Sequence, residues 1–132
     1  MNRKITKSFI IFLVSASTII GCTYNSNYYV NRGNLKISQG KYDRAMRYYN
    51  GAIRINPQNP KAFLGRGSVW LLKLNYQAAI ADFTQAIFLK PDYSEAYLNR
   101  ATAWVETRNA DKALRDCNMG LEKASRNNEM YI

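Results

Sequence analysis

An all-α chain built from stacked helix hairpins is predicted by three observations. A 34-residue period runs through residues 26–127 without slipping phase. Small residues recur at fixed places in it, and bulky ones recur beside them. Numbered from residues 26, 60 and 94, position 8 of the three units holds Gly33, Gly67 and Ala101. Position 20 holds Ala45, Ala79 and Ala113, and position 27 holds Ala52, Ala86 and Gly120. The bulky partners are Tyr29, Phe63 and Tyr97 at position 4, Tyr49, Phe83 and Cys117 at position 24, and Ile53, Ile87 and Leu121 at position 28. Positions 4, 8 and 11 share one face of a first helix, and positions 20, 24, 27 and 28 share one face of a second, so each unit reads as a helix hairpin whose small residues let the two helices approach closely.

Taken in order, residues 26–59 form the first unit, which departs from the pattern at Lys36, where an aromatic is usual. Residues 60–93 form the second and most regular unit. Residues 94–127 form the third, in which Cys117 replaces an aromatic and Ser125 replaces the Pro found at position 32 as Pro57 and Pro91. A tail over 128–132 follows. With these residues the chain resembles the tetratricopeptide repeat (TPR) family, whose 34-residue unit carries large and small residues at these places and Pro near its end. The resemblance implies a right-handed superhelix of three TPR hairpins, an α-solenoid.

Ahead of the repeats, residues 1–21 run from basic Arg3, Lys4 and Lys7 through the apolar Phe9 to Val14 and end in Ile19, Ile20 and Gly21, with Cys22 next. This order reads as an export signal. The low-polarity run over 8–21 is shorter than the ~20 residues of a spanning helix and contains Ser15, Ser17 and Thr18, which disfavours a permanent transmembrane helix. Ile19 to Cys22 resembles the bacterial lipoprotein box. That resemblance implies cleavage after Gly21, lipidation of Cys22 by three acyl chains including palmitate, and a short linker over 22–25 that keeps the first unit close to the bilayer. Thr23 is not the Asp that resembles an inner-membrane retention signal, so an outer-membrane, periplasm-facing location in the cell envelope is favoured for a diderm host. With Cys22 lipidated, Cys117 has no intramolecular disulfide partner and reads as a small apolar side chain.

Among 132 residues there are 19 Lys and Arg against 9 Asp and Glu, and none is His. The signal takes three of the basic residues, so the remainder carries 16 basic against 9 acidic side chains, a balance of +7. A basic surface beside a lipid anchor suits anionic headgroups or acidic partners. Nucleic acid is disfavoured as a partner because the basic residues scatter through the units. Without His the chain lacks the commonest acid-base group and metal ligand, and Gly33 and Gly67 belong to the packing position, not to a phosphate loop. No catalytic residue, cofactor or metal is expected. Asp82, Asp92, Asp111 and Asp116 read as helix-capping or ion-pairing carboxylates. Arg32, Arg66 and Arg100 recur at position 7, with Asp82 and Asp116 at position 23, which predicts Arg–Asp pairs between helices; Tyr48 interrupts the pattern in the first unit.

By resemblance, function resides in the concave groove, lined by positions 2, 5, 6, 9, 12 and 13 of each first helix. Asn27, Val30, Asn31 and Asn34 come from the first unit, Lys61, Leu64 and Ser68 from the second, and Leu98, Asn99 and Thr102 from the third. Ile37, Ser38, Gly65, Leu71, Leu72, Glu95, Val105 and Glu106 complete those positions. An apolar channel edged with amides and hydroxyls suits a protein or peptide segment. Only Lys61 and the Asn residues resemble the carboxylate clamp of chaperone-binding TPRs, so a strongly anionic ligand is not expected. The reading is a membrane-anchored adaptor that recruits or assembles envelope proteins. The alternative is a structural subunit that forms a homo-oligomer through its last helix, because little sequence remains after the third unit to cover Leu114, Met119 and Leu121.

Overall fold

The computed structural model describes residues 25–129. The expected signal over 1–21, lipidated Cys22, Thr23 and tail residues 130–132 lie outside these. Among the described residues six helices form three antiparallel hairpins: α1 over 25–38 with α2 (Tyr42–Ile55), α3 (Pro60–Leu72) with α4 (Tyr76–Leu89), and α5 (Ser94–Glu106) with α6 (Ala110–Glu129). From α2 onward each helix packs on the next, and α3 also meets α5, so successive first helices line one side of the array.

Local chemistry sets the helix ends. Asn59 caps α3 by accepting a hydrogen bond from the Lys61 amide, and Pro60 follows at the first helical position, where its missing N–H is not needed. Asn75 caps α4 through the Ala78 amide. Asp111 lies in the first turn of α6, where its charge favours the helix N-terminus. Asp92 caps nothing, since the residue at the α5 N-cap is Tyr93 and it makes no side-chain cap. Pro57 and Pro91 force Asn56 and Lys90 out of helical geometry, which ends α2 and α4. Ser125 imposes no such stop, so α6 runs for 20 residues where α2 and α4 run for 14.

Each first helix ends in the same left-handed turn. Gly40, Leu74 and Arg108, all at position 15, have φ of 67°, 61° and 61°. The amides of Lys41, Asn75 and Asn109 reach back to the carbonyls of Lys36, Trp70 and Trp104 at 2.8–2.9 Å, satisfying orphan carbonyls of each helix end. Glycine adopts this conformation freely, whereas Leu74 and Arg108 hold it against Cβ repulsion.

The core is a sequence of ring-into-glycine contacts. A Cβ on Gly33 would lie 2.7 Å from the Tyr49 ring, and one on Gly67 would lie 2.7 Å from the Phe83 ring. Tyr49 and Phe83 are fully buried, as are Ala45, Ala52, Ala79 and Ala86 at the small positions around them. Burial of each ring contributes on the order of 3 kcal/mol. In the third unit the ring shrinks to Cys117, half-buried, and position 8 grows to Ala101.

The expected Arg–Asp pairs form. Arg66 donates from Nε and Nη2 to the two carboxylate oxygens of Asp82, both at 2.8 Å, and Arg100 does the same to Asp116 at 2.7 and 2.8 Å. The remaining Nη1 of each reaches the preceding unit, Asn50 Oδ1 at 2.9 Å and Thr84 Oγ1 at 3.0 Å. One guanidinium therefore ties together three helices. The asparagine at the first hairpin junction works in the same way: Asn59 Nδ2 donates to buried Ser26 Oγ, which itself donates to the Ala52 carbonyl.

Two stability predictions follow from this geometry. Asp116→Ala leaves a largely buried guanidinium without its bidentate partner and is expected to cost about 2–3 kcal/mol in urea unfolding. Leu74 is 69% exposed, so Leu74→Gly gives up little packing and relieves its left-handed backbone; a gain of up to ~1 kcal/mol in the same measurement is expected.

Candidate functional site: the concave cleft

A cleft of about 440 Å³ opens on the side formed by the first helices. Its walls are Val30, Asn31, Asn34 and Ile37 of α1, Tyr49 of α2, Lys61, Leu64, Gly65 and Ser68 of α3, then Tyr93 and Glu95 at the start of α5. Val30 and Leu64 stand at position 5 of neighbouring first helices, each pointing toward the cleft while also belonging to the packed core. Asn31, Asn34 and Lys61 are exposed at the rim. Ser68 spends its hydroxyl on the Leu64 carbonyl, 2.9 Å away within α3, which leaves the oxygen's acceptor capacity facing the cleft.

Tyr49 closes the floor. Its ring lies between Gly33 of α1 and Gly65 of α3, where an added Cβ would overlap it from either side. Its hydroxyl emerges beside α1 and donates to Asn34 Oδ1 at 2.6 Å. The amide group of Asn34 is thereby oriented with its nitrogen free to donate. Burial pushes the Tyr49 phenol up to about 12, and burial followed by the Glu95 charge does the same for Tyr93. Both phenols stay neutral hydrogen-bonding groups across the ordinary pH range. The cleft's charged groups are one cation, Lys61, and one anion, Glu95, so its net charge is near zero.

The cleft gathers six of the ten residues expected to bind: Val30, Asn31, Asn34, Lys61, Leu64 and Ser68. Asn27 stands apart in a shallower hollow beside the first interhairpin loop, where it accepts from Asn59 Nδ2 at 3.0 Å. Leu98, Asn99 and Thr102 do not border the cleft. Leu98 packs against α6 over Gly120, where a Cβ would stand 2.7 Å from it, and Thr102 returns its hydroxyl to the Leu98 carbonyl at 3.1 Å. Tyr49 and Tyr93 enter the site unannounced. Tyr49 carries a position-24 packing role and reveals its hydroxyl only when the glycines flanking its ring are placed. Tyr93 replaces, at position 34, the Asn59 of the first junction, a signal visible in the repeat alignment.

Among the described residues no group of three or more Cys, Asp and Glu is placed to hold a metal ion, and no helix is long and apolar enough to cross a membrane. A model of the TPR repeat matches residues 33–72, and a model described as tetratricopeptide repeat matches residues 73–128; both describe a non-enzymatic scaffold. Among solved structures, the second TPR of Spaghetti (RPAP3) bound to the HSP90 peptide SRMEEVD is 30% identical, covering 75% of this chain and 92% of that chain, with a TM-score of 0.73. The second TPR domain of human RPAP3 in complex with the HSP70 peptide SGPTIEEVD is 29% identical, covering 77% and 82%, with a TM-score of 0.69. The Arabidopsis OM64 TPR domain, at 24% identity over 80% and 87% with a TM-score of 0.76, agrees in fold. No curated protein sequence matches the chain.

The buried phenol of Tyr49 links stability to alkaline pH. Its folded pKa lies above the unfolded value of about 10, so the unfolded state ionises first and stability falls as pH rises from 10 to about 12. Helicity followed by circular dichroism should show this loss, and Tyr49→Phe should reduce it, leaving the part that Tyr93 contributes. Gly65→Val, which sets a branched side chain into the Tyr49 ring, is expected to cost about 2–3 kcal/mol and to close the cleft floor.

Proposed function

The chain belongs to the tetratricopeptide repeat family, and from that membership we propose a membrane-anchored adaptor that holds a peptide or protein segment in its concave cleft and so recruits or assembles bacterial envelope proteins. The observation that carries this reading is the cleft between α1, α3 and the start of α5, with apolar walls at Val30, Ile37 and Leu64 and amide donors at its rim. Such a lining accepts apolar side chains while Asn31 and Asn34 hold the ligand's main chain. The peptides carried by the two RPAP3 domains end in Glu-Glu-Val-Asp. With one Lys balanced by one Glu, the present cleft suits a segment of lower net charge. Anchoring is supported by the sequence of residues 1–22, in which a basic start, an apolar run and a terminal Gly-Cys pair resemble a lipoprotein signal. Three acyl chains on Cys22 would make attachment effectively permanent. The location proposed is the envelope, on the periplasmic face of the outer membrane in a diderm host.

A second reading rests on the outer face of α6. Leu114 is 64% exposed, whereas Ile80 at the same repeat position is 8% exposed because α5 covers it. Leu121, seven residues on, is 63% exposed on the same face. This surface has the chemistry of an interior layer and supports self-association of the solenoid as the alternative mode of action.

Crosslinking in the native cell tests the adaptor. Asn31 and Lys61 are exposed, so an Asn31→Ala, Lys61→Ala variant should fold normally and lose a defined envelope partner, with affinity reduced about tenfold or more. An unchanged set of crosslinked proteins would move the function away from the cleft. Cys22→Ser should shift the protein from the membrane to the soluble fraction; retention would point to an uncleaved hydrophobic segment. Equilibrium sedimentation addresses the alternative, which requires Leu114→Glu to dissociate an oligomer present in the wild type.

A further inference from the structure

Arg66 and Arg100 each have a carboxylate and an acceptor on the preceding unit, whereas Arg32 at the same repeat position has neither. Tyr48 stands where Asp82 and Asp116 stand, with its ring centroid 5.8 Å from the Arg32 guanidinium carbon. The Arg32 Nε is buried and donates to no acceptor among the described residues. Around it lies a second cleft of about 440 Å³, lined by Tyr29, Arg32, Lys36, Arg44, Arg47 and Tyr48. Four cations and two phenols meet there with no carboxylate. The Arg32 guanidinium holds the Tyr48 phenol below its usual range, through hydrogen bonding first and charge second, and Lys36 and Arg44 act in the same direction.

Among the described residues no carboxylate borders this cleft. The first unit has six basic residues and one acid, Asp43, which accepts from Lys73 at 2.7 Å. Residues 1–24 contain no Asp or Glu. A second copy cannot stack its last unit here in the manner of the internal units. Ala62 and Ala96, which are fully buried at position 3, are replaced by Tyr28, a large side chain that is 54% exposed.

We propose that this cleft binds the phosphate of an anionic phospholipid headgroup and sets the N-terminal face of the solenoid on the bilayer. The inference rests on the membrane-anchored reading above and adds to it an orientation and a lipid preference. Residue 25, the first described residue of helix α1, follows the expected lipidated Cys22 by three positions in sequence, and Arg32 lies about 10 Å further along the helix at 1.5 Å per residue. Guanidinium forks match phosphate oxygens bidentately. Tyr29 and Tyr48 of the cleft pack edge to face at 6.1 Å, and Tyr28 packs on Tyr29 at 5.8 Å, an amphipathic surface of the kind that settles at headgroup level.

The test uses the full chain in dodecylmaltoside micelles, titrated with dioctanoyl phosphatidylglycerol, dioctanoyl phosphatidylcholine, inorganic phosphate or hexaglutamate, with the Arg side-chain Nε–H resonances as readout. Phosphatidylglycerol is expected to shift the Arg32 resonance and to bind at least tenfold more tightly than phosphatidylcholine. Arg44→Gln, Arg47→Gln, at two exposed positions, should weaken it about tenfold, while Arg115→Gln, Lys123→Gln in the third unit should not. Equal affinity for the two lipids, or equal loss in both double variants, overturns the proposal. So does tighter binding of hexaglutamate, which would identify an acidic protein segment, or of inorganic phosphate, which would identify a free-phosphate site. The micelle assay is independent of anchoring. Binding of phosphatidylglycerol by a protein that fractionates as soluble in cells overturns the anchored reading alone, and indifference to it in a membrane-bound protein overturns the headgroup site alone.

Discussion

The distance between a position-24 side chain and the Cβ-free backbone opposite it governs the packing of the first two units. Tyr49 fits because Gly33 and Gly65 both present bare backbone to its ring, and Phe83 fits because Gly67 presents bare backbone to it from its own unit. At the glycine-facing sides of these rings there is no room for a methyl group. Where the third unit has Cys117, the facing residue becomes Ala101, so volume moves from one helix to the other. The same constraint builds the binding surface. A ring seated this deeply brings the Tyr49 hydroxyl out at the cleft floor, 2.6 Å from Asn34, so core packing and site geometry share one side chain.

Layered on this packing are the guanidinium clamps, which give the stack direction. Apolar layers tolerate sliding, but Arg66 and Arg100 each demand a carboxylate on their own second helix and an acceptor one unit back. Buried bidentate pairs contribute modest net stability and strongly disfavour alternatives that leave one partner behind. At the first unit the same scaffold position is released from this duty, and the residues around it turn outward in function. Arg32, Lys36, Arg44 and Arg47 are what the repeat looks like when its internal carboxylate is removed and its cations remain.

The hairpins, the small-and-large pairing and the Arg–Asp partners were legible in the sequence because each repeats three times or nearly so at a fixed offset. Other features left no such trace. The left-handed turns at Leu74 and Arg108 carry no glycine signal, and only Gly40 marks the position with the residue that prefers it. Basic residues that look scattered along the chain converge in space, since Arg32 and Lys36 lie one turn apart on α1 and face Arg44 and Arg47 across the hairpin; the even spread read from the sequence is corrected on this point. Of the groove positions assigned by repeat register, the cleft gathers most of those in the first two units, while Asn27 lies in a separate hollow and Leu98, Asn99 and Thr102 lie beyond the cleft's end at Tyr93 and Glu95. The run-on of α6 to Glu129 follows from Ser125 standing where proline would stop it.

The seating of Tyr49 between two glycines has a consequence for how such an array can change over time. Gly33 belongs to its own unit, but Gly65 belongs to the next, and the corresponding position of the third unit is Asn99. Transposing the second and third units, or deleting the second, would drive the Asn99 side chain into the ring. The three modules are therefore not interchangeable beads. Their order is written into the joints, and recombination between them would have to alter both sides of a joint at once to yield a foldable protein.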